Sequence, residues 1–269
     1  MKPKILILLT LLSCLLILLY FLRCDNSTQV VTSIKAGVKH LENAVSQDTL
    51  DWQKFGIQLT PPEKSYVETR RFVAAEKAAL STANPDVSGQ TLADAGKRFE
   101  ELLLNQRIPH WYGTKWDFYG HTETPRQGEI ACGYFVSTTL KHIGLNLDRY
   151  KLAQQAPENE AKSLSLGSPV IEIRGEEMDE KLAAIKQAIQ PGICFVGLGS
   201  SHVGYLLFRQ DELFFIHASY FSPDEVVAQR AGESSIFSAF NHYYLVELSN
   251  NAAFIEHWLS GEQVQVKMN

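Results

Sequence analysis

Cysteine is scarce in this chain: four in 269 residues, at positions 14, 24, 132 and 194, with no Cys-x-x-Cys pair. That count and spacing exclude a disulfide framework and leave no zinc-binding set, so no metal site is expected. Positive charge is also in short supply, with 25 Lys and Arg against 30 Asp and Glu, and it gathers into no basic stripe. No nucleic-acid partner is expected from such a balance. Internal repeats are missing, which excludes a solenoid. What remains is a chain with 45% hydrophobic residues, enough for one good-sized globular domain and something smaller.

The N-terminus has its own character. Lys2 and Lys4 precede Ile5 to Leu22, 18 residues without a charge, and Arg23 follows. The run is long for a signal-peptide core and about sufficient for a tilted membrane span. No small-residue cleavage pattern accompanies it. A lipoprotein site fits poorly: more apolar chain follows Cys14, and Arg23 stands directly before Cys24. Residues 1–24 are therefore expected to be an uncleaved signal anchor, with lipidation as the alternative. The body would lie outside the cytoplasm, in a bacterial periplasm or at the cell surface.

Residues 25–107 read as polar and helical. Val30, Ile34, Val38, Leu41 and Val45 recur at helical spacing, and further helices are expected at about 63–80 and 91–105. From Ile108 the character changes. Trp111, Tyr112, Trp116, Phe118 and Tyr119 crowd into nine residues, punctuated by Gly113 and Gly120. Such loops often line clefts, although each aromatic has an equal claim to be padding at the core edge.

A helix is then expected over 131–143, with Phe135, Val136, Leu140 and Ile143 inward and Gly144 as its stop. Cys132 would occupy its first turn. There the unpaired N–H groups and the helix dipole favour a thiolate, whereas apolar burial does the reverse. A lone cysteine is more often an inert hydrophobe. The stretch 152–166 is indecisive, and 176–189 reads as an amphipathic helix ending at Pro191-Gly192. Strands follow at 193–198, 202–208, 212–218 and 243–248, with a last helix near 252–259. Helices first and antiparallel strands later describe an α+β domain over 108–269.

If Gln210 and Asp211 form a two-residue hairpin loop, Arg209 faces Glu212 and Gly204 faces His217. His202 then becomes a diagonal neighbour of His217 on the same face, about 7–8 Å away at the backbone. A three-residue loop would separate them. Paired histidines, one as base and one orienting it, are what a thiol nucleophile needs.

The ordered segments Pro191-Gly192-Ile193-Cys194-Phe195, Ser201-His202-Val203-Gly204-Tyr205 and Phe215-Ile216-His217-Ala218-Ser219 follow a helix-start cysteine. In that order they resemble the NlpC-type cell-wall peptidases, a superfamily of papain-like cysteine hydrolases. The resemblance covers about 108–248 and implies a papain-like fold with Cys132 as nucleophile, His202 as general base and His217 as orienter. Trp116-Asp117-Phe118-Tyr119-Gly120 is similar to the family's aromatic-plus-glycine segment. Around the nucleophile the family commonly has Asp-Cys-Ser-Gly, where this chain has Ala131-Cys132-Gly133-Tyr134. The pair that meets a free substrate amine in L-Ala-γ-D-Glu cutters is thus missing.

The expectation is a membrane-anchored cysteine peptidase or amidase acting on peptide amides, most directly peptidoglycan stem peptides, through a thioester. No cofactor is implied. Trp116, Tyr119, Gly133, Tyr134 and Ser201 are the expected substrate-binding residues. A membrane-anchored binding or scaffold protein that keeps the fold without turnover is the alternative, and a Cys132–Cys194 disulfide a lesser one.

Overall fold

The computed structural model describes residues 51–83 and 89–268. The anchor expected at 1–24 and the helix expected around 30–45 lie outside these residues. Among the described residues, no helix is long and apolar enough to cross a membrane.

The architecture is α+β. Six strands form one sheet in which every pairing is antiparallel: β1 (Ile171–Arg174), β2 (Gly192–Leu198), β3 (His202–Arg209), β4 (Glu212–Ala218), β5 (Val226–Arg230) and β6 (His242–Glu247). Their spatial order is β1-β6-β2-β3-β4-β5. Eight α-helices accompany them among the described residues: α1 (Tyr66–Ala83), α2 (Gly89–Leu102), α3 (Cys132–His142), α4 (Arg149–Ala153), α5 (Pro157–Leu164), α6 (Met178–Ala188), α7 (Ser235–Ser238) and α8 (Ala252–Ser260).

Local chemistry explains several of these boundaries. Ser65 and Glu68 form a reciprocal cap at the start of α1: Ser65 N–H donates to the Glu68 carboxylate at 2.8 Å, and Glu68 N–H donates to Ser65 Oγ at 3.3 Å. Asn251 caps α8 by accepting from Phe254 N–H, and Gly261 ends it with a left-handed φ of 75°. α3 begins at Cys132 and keeps Phe135, Val136 and Leu140 fully buried, with Ile143 as the buried residue that ends it. Its C-terminal stop is Gly144, at φ 97°.

Two groups of elements cover the sheet. On one face α3 lies against β3: the Tyr205 hydroxyl donates to Val136 O at 3.1 Å, and its ring meets Phe135 edge-on. On the opposite face Cys194, Val196, Leu198, Leu206, Phe215, Tyr243 and Leu245 pack with Ile185 and Ile189 of the α6 region and with Phe237 of α7. β2 is buried along its whole length, which explains why it reads as a continuous apolar run.

Residues on both sides of position 108 share one core, and Asp51 onward forms one compact unit. Trp52 and Phe55 pack on Phe214, and Phe99 packs on Phe254 and Trp258. The buried Glu100 carboxylate accepts from Ile193 N–H and Ser249 Oγ, both at 2.9 Å, and pairs with Arg209. One α2 side chain thereby ties β2, β3 and the loop before α8 together.

Gln210 and Asp211 form the β3–β4 turn, both left-handed with φ of 51° and 61°. The strands leave it with Arg209 opposite Glu212, the register a two-residue loop requires. Continued along the strands, that register sets Gly204 beside His217. A Cβ on Gly204 would lie 2.7 Å from Phe215 Cε2, 2.8 Å from Ile216 O and 2.9 Å from His217 Cβ.

Two variants test this arrangement in opposite directions. Gly204→Ala is expected to cost roughly 1–3 kcal/mol through overpacking, lowering the thermal midpoint by several degrees. Asp211→Gly is expected to raise it slightly. A left-handed non-glycine residue costs about 1 kcal/mol, whereas the exposed Asp211–Lys186 pair at 3.4 Å contributes little. Calorimetry reads both, and an unchanged midpoint in Gly204→Ala would contradict the close strand approach.

Candidate active site

The turn register brings two imidazoles into contact. His202 Nε2 and His217 Nδ1 are 2.8 Å apart, and their rings meet edge-to-face with centroids 5.0 Å apart. Both side chains are buried. His217 is stacked on Phe215 at 4.0 Å, with an interplanar angle of 16°. Its Nε2 lies 3.0 Å from the Gln229 side-chain amide, which also reaches Ser234 Oγ at 2.7 Å. β5 supplies Gln229 opposite Phe215, on the face His217 occupies.

Cys132 enters from the other side of the sheet. It is the first residue of α3, so its thiol meets the strands where β3 begins. Sγ donates to Ser201 O at 4.0 Å and accepts from Val203 N–H, which places it against the backbone on both sides of His202. His202 Nδ1 is buried and makes no hydrogen bond. The thiol is thus directed at the Ser201 carbonyl, and His202 Nδ1 carries no hydrogen bond beside that segment.

Two influences on the thiol oppose each other here. The N–H groups of Val203, Gly133 and Cys132 favour a thiolate, but burial is the larger effect and pushes Cys132 up to about 11. Burial also lowers His202 to about 3, and burial with the neighbouring His202 lowers His217 well below the usual histidine range. Burial thus favours the neutral form of the thiol and of both imidazoles. An anionic thiol is not what the helix start produces in this setting.

Tyr220, two residues beyond β4, completes the enclosure. Its ring lies 5.2 Å from His202 and 5.8 Å from Trp116. Burial and the neighbouring Cys132 both raise its phenol. Trp116 is held in place through its backbone, its N–H donating to Asp224 O at 2.8 Å. The aromatic loop is also clasped to the segment before the cysteine: Ala131 N–H donates to Gly120 O at 2.8 Å. Gly120 is required there, because a Cβ would lie 2.6 Å from Ile130 N.

The structure thus gathers Cys132, Ser201, His202, His217 and Trp116. Tyr119 stands in solvent, 80% exposed, with its ring against Phe118. Tyr134 packs with His121, Tyr150 and Arg149. Gly133 is buried, and a Cβ on it would lie 2.7 Å from Ala153 O and 3.2 Å from Glu160 Oε1. Cys194 is a free, buried core thiol, and Cys132 is free as well.

Sequence reasoning passed over Tyr220, Gln229 and Glu160. Tyr220 follows the second histidine segment by a single residue, which was a usable signal. Gln229 and Glu160 carried none. The Glu160 carboxyl is fully enclosed in α5, and burial raises it well above the usual carboxylate range. Among the described residues no three His, Cys, Asp or Glu side chains converge as metal ligands.

The neutral resting pair has a measurable signature. Iodoacetamide alkylation of Cys132 is expected to be slower than that of free cysteine at pH 7–8 and to keep rising beyond pH 9, because thiolate forms only as the pH approaches about 11. Peptide-resolved mass spectrometry gives the rate. A plateau at neutral pH would reveal a thiolate–imidazolium pair instead.

No protein-family model matches the chain, and no curated protein or solved structure matches it either.

Proposed function

We propose that this chain is a cysteine hydrolase with a papain-like domain of the NlpC type, cleaving amide bonds in peptides. Peptidoglycan stem peptides are the leading substrate class, and residues 1–24 would hold the enzyme at a membrane with the domain outside the cytoplasm. The observation that carries the reading is the sequence of contacts at one point: a helix-start thiol against the backbone of Ser201 and Val203, on either side of His202, and His202 bonded to His217.

In the proposed reaction His202 Nδ1 accepts the Cys132 proton as Sγ bonds to the amide carbonyl carbon. Rotation about the Cys132 Cα–Cβ bond brings the thiol from the Ser201 carbonyl to this nitrogen. The N–H of Cys132, at the first turn of α3, faces the developing oxyanion. The C–N bond then breaks as the imidazolium returns its proton to the leaving amine, and a thioester remains. Water gives a proton to His202 as its oxygen adds to the thioester carbon. The expelled sulfur recovers that proton when the acid leaves.

Burial disfavours the imidazolium that this scheme forms, and His217 offsets the cost by accepting a hydrogen bond from His202 throughout. The partly exposed aromatic rim of Trp116, Tyr220 and Phe221 gives a substrate an apolar surface beside the thiol.

The test incubates the full-length chain with a muropeptide mixture and a panel of protein and lipid amides, with products resolved by mass spectrometry. A new amine and acid from one amide are expected. Cys132→Ala should abolish them, and His202→Ala should slow them by at least about 100-fold. The raised thiol and the unpartnered His202 Nδ1 also favour a second reading, a binding protein that keeps the site without turnover. Retention of a panel member without any cleavage would establish that reading and overturn the first.

A further inference from the structure

We propose that Gln229 turns its amide oxygen, rather than its nitrogen, toward His217 and so sets the proton arrangement that makes His202 a base. The inference rests on the hydrolase reading above and concerns how that site is prepared.

The oxygen and nitrogen of a glutamine amide have nearly the same shape, so the hydrogen-bond network decides which one faces a neighbour. Here one amide atom meets two partners, His217 Nε2 at 3.0 Å and Ser234 Oγ at 2.7 Å. Ser234 Oγ already accepts Phe237 N–H at 3.1 Å, as the cap of α7.

With nitrogen inward, Gln229 donates to His217 Nε2. The His217 proton then lies on Nδ1 and is given to His202 Nε2, which puts the His202 proton on Nδ1. That nitrogen would already carry a proton, and it could not accept another from the thiol. Ser234 Oγ would take two N–H donors while its own proton stayed outside the network.

With oxygen inward, each contact from Ser234 through Gln229 and His217 to His202 pairs one donor with one acceptor. Ser234 Oγ–H and His217 Nε2–H both donate to the amide oxygen. His217 Nδ1 accepts from His202 Nε2–H, and His202 Nδ1 is left bare. That nitrogen is the buried atom found without a hydrogen-bond partner. The same arrangement persists when His202 becomes an imidazolium, because its Nε2–H bond to His217 does not change. The Gln229 amide bonds to His217 and Ser234, so it is a positioning residue acting through two rings.

The test uses full-length protein with 15N-labelled histidine, comparing wild type with Gln229→Glu, whose carboxylate only accepts, and Gln229→Leu, which does neither. Nitrogen–carbon-proton correlation spectra above pH 7 read each ring's tautomer directly. Wild type and Gln229→Glu are expected to show both His202 and His217 protonated at Nε2. Gln229→Leu should show mixed tautomers and a Cys132 iodoacetamide rate about five- to tenfold lower at pH 8, the population shift one lost hydrogen bond permits. Rescue of that rate by Gln229→Glu separates tautomer control from packing. A wild-type spectrum with His202 protonated at Nδ1 would overturn the proposal, and it is read without any variant having to fold. The tautomers are measured without substrate, so this failure is distinct from a failure of amide cleavage.

Discussion

The two-residue turn at Gln210-Asp211 is the constraint on which the rest depends. Strand side chains alternate faces, so one extra residue there would send His202 and His217 to opposite sides of the sheet. Neither residue is a glycine or asparagine, and both sit at left-handed φ, an arrangement disfavoured by about 1–2 kcal/mol each. Tertiary contacts hold it. Gln210 Nε2 donates to Lys54 O, Arg209 donates to Phe55 O and pairs with Glu100, and Asp211 faces Lys186. Residues 51–57 and α2 therefore act on the site from its far end: by clamping the turn they fix the register that joins the histidines.

Burial then decides the electrostatics. A helix-start cysteine is often an anion, but here the thiol, both imidazoles and the nearby Glu160 carboxyl all shift toward their neutral forms. A low dielectric penalises every charge alike, and no charged partner compensates one of them. In the proposed mechanism the charge separation must come with substrate, when attack on a carbonyl moves the sulfur's charge onto an oxygen that backbone donors can meet. The arrangement suits proton transfer coupled to attack better than a standing ion pair.

The parts of the fold legible in the sequence are those with a strong period or a turn. The helix from Cys132, the four apolar strands and the histidine hairpin follow from helical spacing, from continuous apolar runs and from the Gln210-Asp211 loop. The two outer strands were not legible. β1 is four residues with alternate half-buried and exposed positions, and β5 carries Gln229 and Arg230 among its five residues. The stretch read as indecisive, 152–166, contains the end of α4 and all of α5. Their buried positions include Asn159, Glu160 and Ser163, polar residues that a hydrophobic pattern cannot register. Gln229 was invisible for a related reason: its importance comes from a neighbour 12 residues away across a strand pair.

Gly133 links the fold to the question of substrate. In the family proposed for this chain, a serine commonly follows the nucleophile, with an aspartate before it. Here the α3 backbone at Gly133 presses on α4: any Cβ would stand 2.7 Å from Ala153 O, which is backbone and cannot swing aside. A serine is sterically barred, so the departure is built into the helix packing and is more than a change of surface chemistry. Ala131 likewise provides no carboxylate, and Glu160, the acid beside Gly133, is enclosed and driven toward its neutral form. Positions 131, 133 and 160 therefore offer a substrate ammonium no fixed anion. What it offers beside the thiol is apolar: Trp116 and Tyr220, with Phe221 54% exposed beyond them. On the proposed function, discrimination therefore falls to groups flanking the amide that can lie on aromatic faces, and a free amine next to the scissile bond gains nothing from this pocket.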